Sequence, residues 1–110
     1  MSKYEKMCKA KEVQERCTWE VGTVTDEGRI SFVRHDGKVN RLYSARNYEK
    51  KNLTYLPTAD EMQDWIDPPW TLTHHDDGRF AFDISGCVFD DVDKKVAILR
   101  GIARVKWGLE

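Results

Sequence analysis

Two adjacent histidines, two adjacent aspartates and an arginine fall within residues 74–79, inside the run WTLTHHDDGRFAFDISG at 70–86. Imidazoles and carboxylates are the side chains of metal ligation and of acid–base catalysis, so chemistry is sought here first. A zinc site needs three or four ligands converging at about 2.0–2.3 Å. Neighbouring residues of a strand point to opposite sides of its sheet. His74 continues the Trp70–Leu72 face and His75 the Thr71–Thr73 face, so the two rings diverge, one toward the interior and one toward water. Asp76, Asp77 and Gly78 are the residue types that a turn requires. The run reads as the tip of a β-hairpin, without a metal ligand set unless His35 meets one of the pair across the sheet.

Other catalytic patterns are weaker. Ser2, Ser31, Ser44 and Ser85 stand in no G-x-S-x-G context, and no glycine loop of the phosphate-cradling type occurs. Cys87 follows a Ser-Gly pair and is the one thiol to consider beside the histidines, because a cysteine nucleophile needs an imidazole close by. A small hydrolase or metal enzyme around His74 and His75 is thus the third-ranked reading, and no residue is assigned a catalytic role. Neither a metal nor another cofactor is expected.

The segment NRLYSARNYEKK carries Arg41, Arg46, Lys50 and Lys51 with Tyr43 and Tyr48 interleaved. Such a mixture neutralises phosphates and stacks bases, which makes a nucleic-acid-binding module the second reading. The competing account is a solvated loop whose tyrosines pack inward. Four tryptophans occur in 110 residues. Trp19, Trp65 and Trp107 are expected in or over the core. Trp70, directly after Asp67-Pro68-Pro69, is less constrained. Together with His74, His75 and Arg79 it forms a candidate docking patch, since large aromatics with arginine dominate interface energetics.

Local patterns define the elements that position these residues. Residues 3–16 are strong helix formers with Met7, Ala10, Val13 or Gln14, and Cys17 near helical spacing. The runs 18–25, 29–35 and 38–44 are β-rich, and Gly28 and Gly37 mark the turns between them, giving an antiparallel meander. Residues 45–52 read as a polar connection. Thr58 with Glu61 three residues later is a capping box, with Met62, Trp65 and Ile66 on one face of the helix that follows. The prolines at 68 and 69 end it. Residues 70–84 alternate apolar and polar side chains on both sides of the DDG turn. A helix over 91–107 is expected, with Asp90, Asp91 and Asp93 at its start, Val92, Val96, Leu99, Ile102 and Ala103 on its apolar face, and Gly108 past its end. The order α-βββ-α-ββ-α predicts a single α+β domain over residues 1–110, an antiparallel sheet with helices packed on one face.

Formal charge is −1, which argues against a dedicated nucleic-acid binder. The balance is uneven, +4 over residues 1–52 and −5 over residues 53–110. An uneven balance of this kind favours oriented docking onto a charged partner. The three cysteines form no C-x-x-C pair and are expected as buried thiols. The N-terminal residues lack the apolar core of a signal peptide, and no apolar run approaches the 18 residues of a membrane span, so a cytoplasmic location is expected.

Three segments together resemble a group of small phage and prophage proteins. They are YEKMCKAKEVQ with the following WEVG, then YLPTADEMQDWI, then the hairpin and terminal helix ending in VKW. Members share a Cys-Ala-Lys-Glu-x-Gln helix, a central helix start of Leu-Pro and then Thr or Arg running to a glutamine, here Leu56, Pro57 and Thr58 through Gln63, and a Lys-x-Trp-type tail. The resemblance implies tailed-phage origin and action in the cytoplasm of a bacterial host, and it assigns no catalytic residue. The leading expectation is a non-enzymatic phage accessory protein that binds another protein, such as a host or defence factor.

Overall fold

The computed structural model of the chain describes residues 2–34, 36–41 and 47–109, the side chains of Arg41 and Asn47 excepted. The protein is α+β, with all strand pairing antiparallel. The strands form two sheets where one was expected, and the chain divides into two compact units, Met1–Pro57 and Thr58–Glu110. No charged residue lies between positions 52 and 58, so the first unit carries the +4 balance and the second the −5.

In Met1–Pro57, the expected N-terminal helix is two short ones, α1 (Lys3–Cys8) and α2 (Lys11–Gln14). The break falls at Ala10, whose ψ of 138° is extended. Tyr4, Cys8 and Val13 are buried here, whereas Met7 and Ala10, expected on the apolar face, are only half-buried. Gln14 explains the arrangement. Its Nε2 donates to the Cys8 and Tyr55 carbonyls at 2.5 and 3.0 Å, and its Oε1 accepts from the Tyr55 N–H at 2.9 Å. An amide so placed satisfies backbone groups that burial would otherwise strand.

The four-stranded sheet runs β1 (Val24–Thr25), β2 (Gly28–Val33), β3 (Val39–Arg41), β4 (Asn47–Tyr48) in spatial order. Residues 18–23, expected in a strand, precede β1, and the connection expected at 45–52 instead supplies β4 and a 3-10 turn, Lys50–Asn52. Ile30, Val39 and Leu53 form the core beneath this sheet, with Trp19, Val33 and Tyr48 packed against it.

In Thr58–Glu110, the Thr58 Oγ1 accepts from the Glu61 N–H at 3.2 Å and Glu61 Oε1 accepts from the Thr58 N–H at 3.2 Å. This is the expected capping box, and it starts α3 (Ala59–Gln63). A three-stranded sheet follows, β5 (Trp70–His74), β6 (Phe80–Ile84) and β7 (Cys87–Asp91) in that order. The last helix, α4 (Lys94–Val105), packs on β6 and β7.

Strand β7 corrects the expectation that Asp90 and Asp91 open the last helix. They belong to the strand, Val92 is exposed, and Asp93 is the cap, its Oδ1 accepting from the Lys95 N–H at 2.9 Å. What turns the chain is Ser85-Gly86, both in the left-handed region at φ 53° and 79° between the paired residues Ile84 and Cys87. A two-residue loop of that geometry twists with its flanking strands and closes a tight hairpin.

Val96, Ala97, Ile98, Leu99, Gly101 and Ile102 form the buried face of α4, and Phe82 is the largest side chain fully buried beneath it. Gly101 permits the close approach, since a methyl group at that position would lie 2.5 Å from Phe82 Cδ2. Burying one phenylalanine is worth about 1.5–3 kcal/mol, so this seam contributes heavily to a unit with a small core. At the helix end, Gly108 (φ 68°) turns the chain back so that the Leu109 N–H donates to the Ala103 carbonyl at 2.8 Å. Trp107 meets Trp65 with ring centroids 6.1 Å apart, and the Lys106 ammonium donates to the Trp65 carbonyl.

Candidate functional site: the β5–β6 hairpin and its outer edge

The hairpin has the register expected of it, Trp70 opposite Ile84 through His74 opposite Phe80. At its tip the Gly78 N–H donates to the His75 carbonyl at 3.0 Å and the His75 N–H to the Arg79 carbonyl at 2.8 Å. Gly78 has φ 87°, and the Asp77 carboxylate accepts from the Arg79 N–H at 3.0 Å. This is a three-residue loop built on a tight turn and closed by a left-handed glycine. Asp77 and Gly78 are therefore used by the turn itself.

His74 stacks flat on Phe80, centroids 4.3 Å apart and planes 5° from parallel. Its ring covers Phe80 at the sheet's end and is exposed, so the expectation that it points into the interior is corrected. The reason is position: the 74–80 pair is the last row before the turn, and α4 covers β6 and β7. His75 is also exposed and stands past the last residue of β5. Arg79 Nε lies 3.5 Å from Asp90 Oδ2, an exposed pair across the sheet. Trp70 is half-buried, packed on Phe82 at 5.9 Å between centroids. Trp70 and His74 thus lie on one face of the hairpin at opposite ends of β5, and Arg79 turns to β7.

Cys87 is exposed, against the expectation of burial, while Cys8 is buried and Cys17 intermediate. Cys87 shares a row with Ile84 and Trp70, and His74 a row with Phe80 and Asp91. Four residues along a strand separate the rows, about 13 Å. The thiol and the imidazole are at opposite ends of the sheet and cannot act together. Among the described residues no group of three or more His, Cys, Asp or Glu is placed to hold a metal; His35 lies outside them.

Of the basic-aromatic segment, Tyr43, Arg46 and the side chain of Arg41 lie outside the described residues. Tyr48 packs against the Ile30–Val39–Leu53 core, Lys50 Nζ sits 6.0 Å from the centre of the Trp19 ring, and Lys51 pairs with Glu49 at 3.2 Å.

Register reveals a feature that residue types do not. In antiparallel pairs, hydrogen-bonded and non-hydrogen-bonded rows alternate. The His75–Arg79 bond at the tip makes the 73–81 and 71–83 rows the bonded ones. The peptide groups of Trp70, Leu72 and His74 therefore point away from β6. The tight turn at 85–86 makes the 84–87, 82–89 and 80–91 rows the bonded ones on the other side, so Val88 and Asp90 face outward from β7. Arg100 confirms this, its guanidinium donating to the Asp90 carbonyl at 3.0 Å. One outward carbonyl of the β7 edge is thus occupied by a side chain of α4. The β5 edge has no strand partner among the described residues, and Thr71, Thr73 and His74 along it are exposed. A pocket of about 250 Å³ lies at the head of β5, lined by Trp70, Thr71, Asp83 and Ser85 among others.

Fold and site define a small α+β protein whose three-stranded sheet has one edge contacted by Arg100 and one without a strand partner among the described residues. Comparison with protein-family models, with curated proteins and with solved structures finds no match to the chain. No helix among the described residues is long and apolar enough to cross a membrane.

Proposed function

We propose that the chain is a non-enzymatic phage accessory protein that acts by binding another protein, in the cytoplasm of a bacterial host, through the β5–β6 hairpin. One observation carries the reading: β5 presents three outward peptide groups on an edge without a strand partner among the described residues, beside the half-buried Trp70 and Leu72. Exposed edges pair with other chains unless something blunts them, and among the described residues a side-chain contact of that kind, Arg100 on the Asp90 carbonyl, falls on the other edge. The hairpin's polar side chains support binding over catalysis, since His74 lies against Phe80, Arg79 pairs with Asp90 and Asp77 closes the turn. The phage assignment rests on the resemblance in residues 4–14 with 19–22, in 55–66, and in the hairpin and terminal helix that ends at 105–107.

The test is capture from bacterial lysate on the immobilised chain, with and without nuclease, beside direct binding of single- and double-stranded DNA and RNA at low salt. A protein retained at about equal stoichiometry after nuclease supports the reading. Retention of nucleic acid alone, with affinity falling steeply in salt, replaces it with the nucleic-acid reading through residues 41–51.

A further inference from the structure

We infer that the open edge of β5 takes an extended peptide segment that alternates apolar and basic residues, adding it to the sheet as a fourth strand. The inference rests on the protein-binding reading and names the partner's chemistry and its mode of attachment.

Three observations converge. The first is the edge itself. Outward N–H and C=O groups at Trp70, Leu72 and His74 recur every second residue, the repeat that an added strand pairs with. The opposite edge is obstructed at one of its outward groups, where the Arg100 guanidinium occupies the Asp90 carbonyl. An added strand meets that side chain on β7 and no such contact on β5 among the described residues.

The second is the difference between the two faces beside that edge. Trp70 and Leu72 are half-buried on the face that carries Phe82, so the added strand's side chains there meet apolar surface. Thr71 and Thr73 are exposed on the opposite face. A strand laid against β5 with apolar residues on the first face places every other residue on the second. That is the specificity logic of strand addition, in which main-chain bonds hold the segment and alternate side chains read it.

The third is charge. Asp83 sits opposite Thr71 on β6, exposed, and lines the pocket at the head of β5. An added strand lies two strand spacings from Asp83, about 10 Å, which a lysine or arginine crosses by reaching over Thr71. Asp67 before the strand and Asp76 and Asp77 after it are exposed, and the unit carries −5 overall. A basic segment is drawn to this edge and an acidic one is repelled.

The experiment records amide spectra and amide exchange of the full chain while adding either of two peptides, an alternating lysine–valine octamer or its glutamate–valine counterpart. The expected result is that the Trp70, Leu72 and His74 amides shift and gain protection with the lysine peptide. The glutamate peptide binds at least about tenfold more weakly. His74→Pro removes an outward N–H that β6 does not use, and it weakens the lysine peptide strongly while the hairpin amides of Ala81 and Asp83 stay protected. Asp83→Asn, which leaves the edge intact, weakens the lysine peptide several-fold and not the glutamate one. Equal binding of the two peptides overturns the inference, as does a response centred on Val88 and Asp90, or none at β5 with either peptide. Concentration-dependent protection of the β5 amides in the chain alone also overturns it, since a second copy then fills the edge. If a lysate partner binds His74→Pro as tightly as the unaltered chain, strand addition fails while the protein-binding reading stands.

Discussion

Replacing Gly101 with alanine tests the packing on which the second unit depends, because two effects of opposite sign meet there. In a helix interior, Gly→Ala stabilises by about 1 kcal/mol through backbone entropy. Against that, the new methyl carbon would sit 2.5 Å from Phe82 Cδ2, 2.7 Å from Cε2 and 3.2 Å from Phe89 Cδ2. Carbon atoms in comfortable contact are about 3.5–4.0 Å apart, so helix or ring must retreat by roughly 1 Å. Phe82 is fully buried, which leaves its ring no open side to move into. Overpacking of this kind costs about 1–3 kcal/mol, and a clash with a confined ring belongs at the upper end. The steric effect wins, and Gly101→Ala destabilises by about 2 kcal/mol net. For a domain of this size that lowers Tm by roughly 10 °C in a thermal melt followed by circular dichroism. The Phe82→Leu background supplies the control. With the ring gone the clash is relieved, and Gly101→Ala turns neutral or stabilising, a coupling of at least about 2 kcal/mol. A higher Tm for Gly101→Ala alone would refute the seating of α4 on Phe82, and with it the assignment of β5 as the edge that α4 leaves open.

Thr58→Ala deletes half of the capping box and is expected to destabilise by about 1 kcal/mol, read as a shift in the urea midpoint at unchanged m-value. Gln14→Leu keeps the volume but strands the Tyr55 N–H and the carbonyls of Cys8 and Tyr55, for an expected loss of about 2 kcal/mol by the same measurement. An unchanged midpoint there would mean that water replaces the amide. Arg100→Ala frees the Asp90 carbonyl beside exposed Val88; stability changes little, while sedimentation velocity should show stronger concentration-dependent association than the unaltered chain gives.

How much of this was legible in the residues depends on how local the cause is. The hairpin over 70–84 was readable because alternation and the Asp-Asp-Gly turn point to the same register, and the capping box because Thr58 and Glu61 stand three apart. Strand β7 was hidden by its own last residues. Asp90 and Asp91 before an amphipathic run look like a helix start, and the signal that identifies the strand is the Ser85-Gly86 turn with Phe89 inward and Val88 outward. The break at Ala10 has no local cause, since helix formers run through it; Gln14 imposes it by bonding to Tyr55, 41 positions away. The same limit applied at the candidate site. The patch of Trp70, His74, His75 and Arg79 is marked by residue type, but the β5 edge consists of peptide groups, which every sequence has. Only the strand order and the Arg100 contact distinguish one edge from the other.

The central claim, that the β5 edge is where another protein attaches, is tested most directly by placing a photo-crosslinking amino acid at position 73, on the exposed side of β5, and separately at position 88 on β7. Each chain is irradiated in bacterial lysate. A discrete protein adduct from position 73, absent from position 88 and lost on adding His74→Pro, is the predicted result. Adducts of equal yield from both positions, or only to nucleic acid, would contradict it.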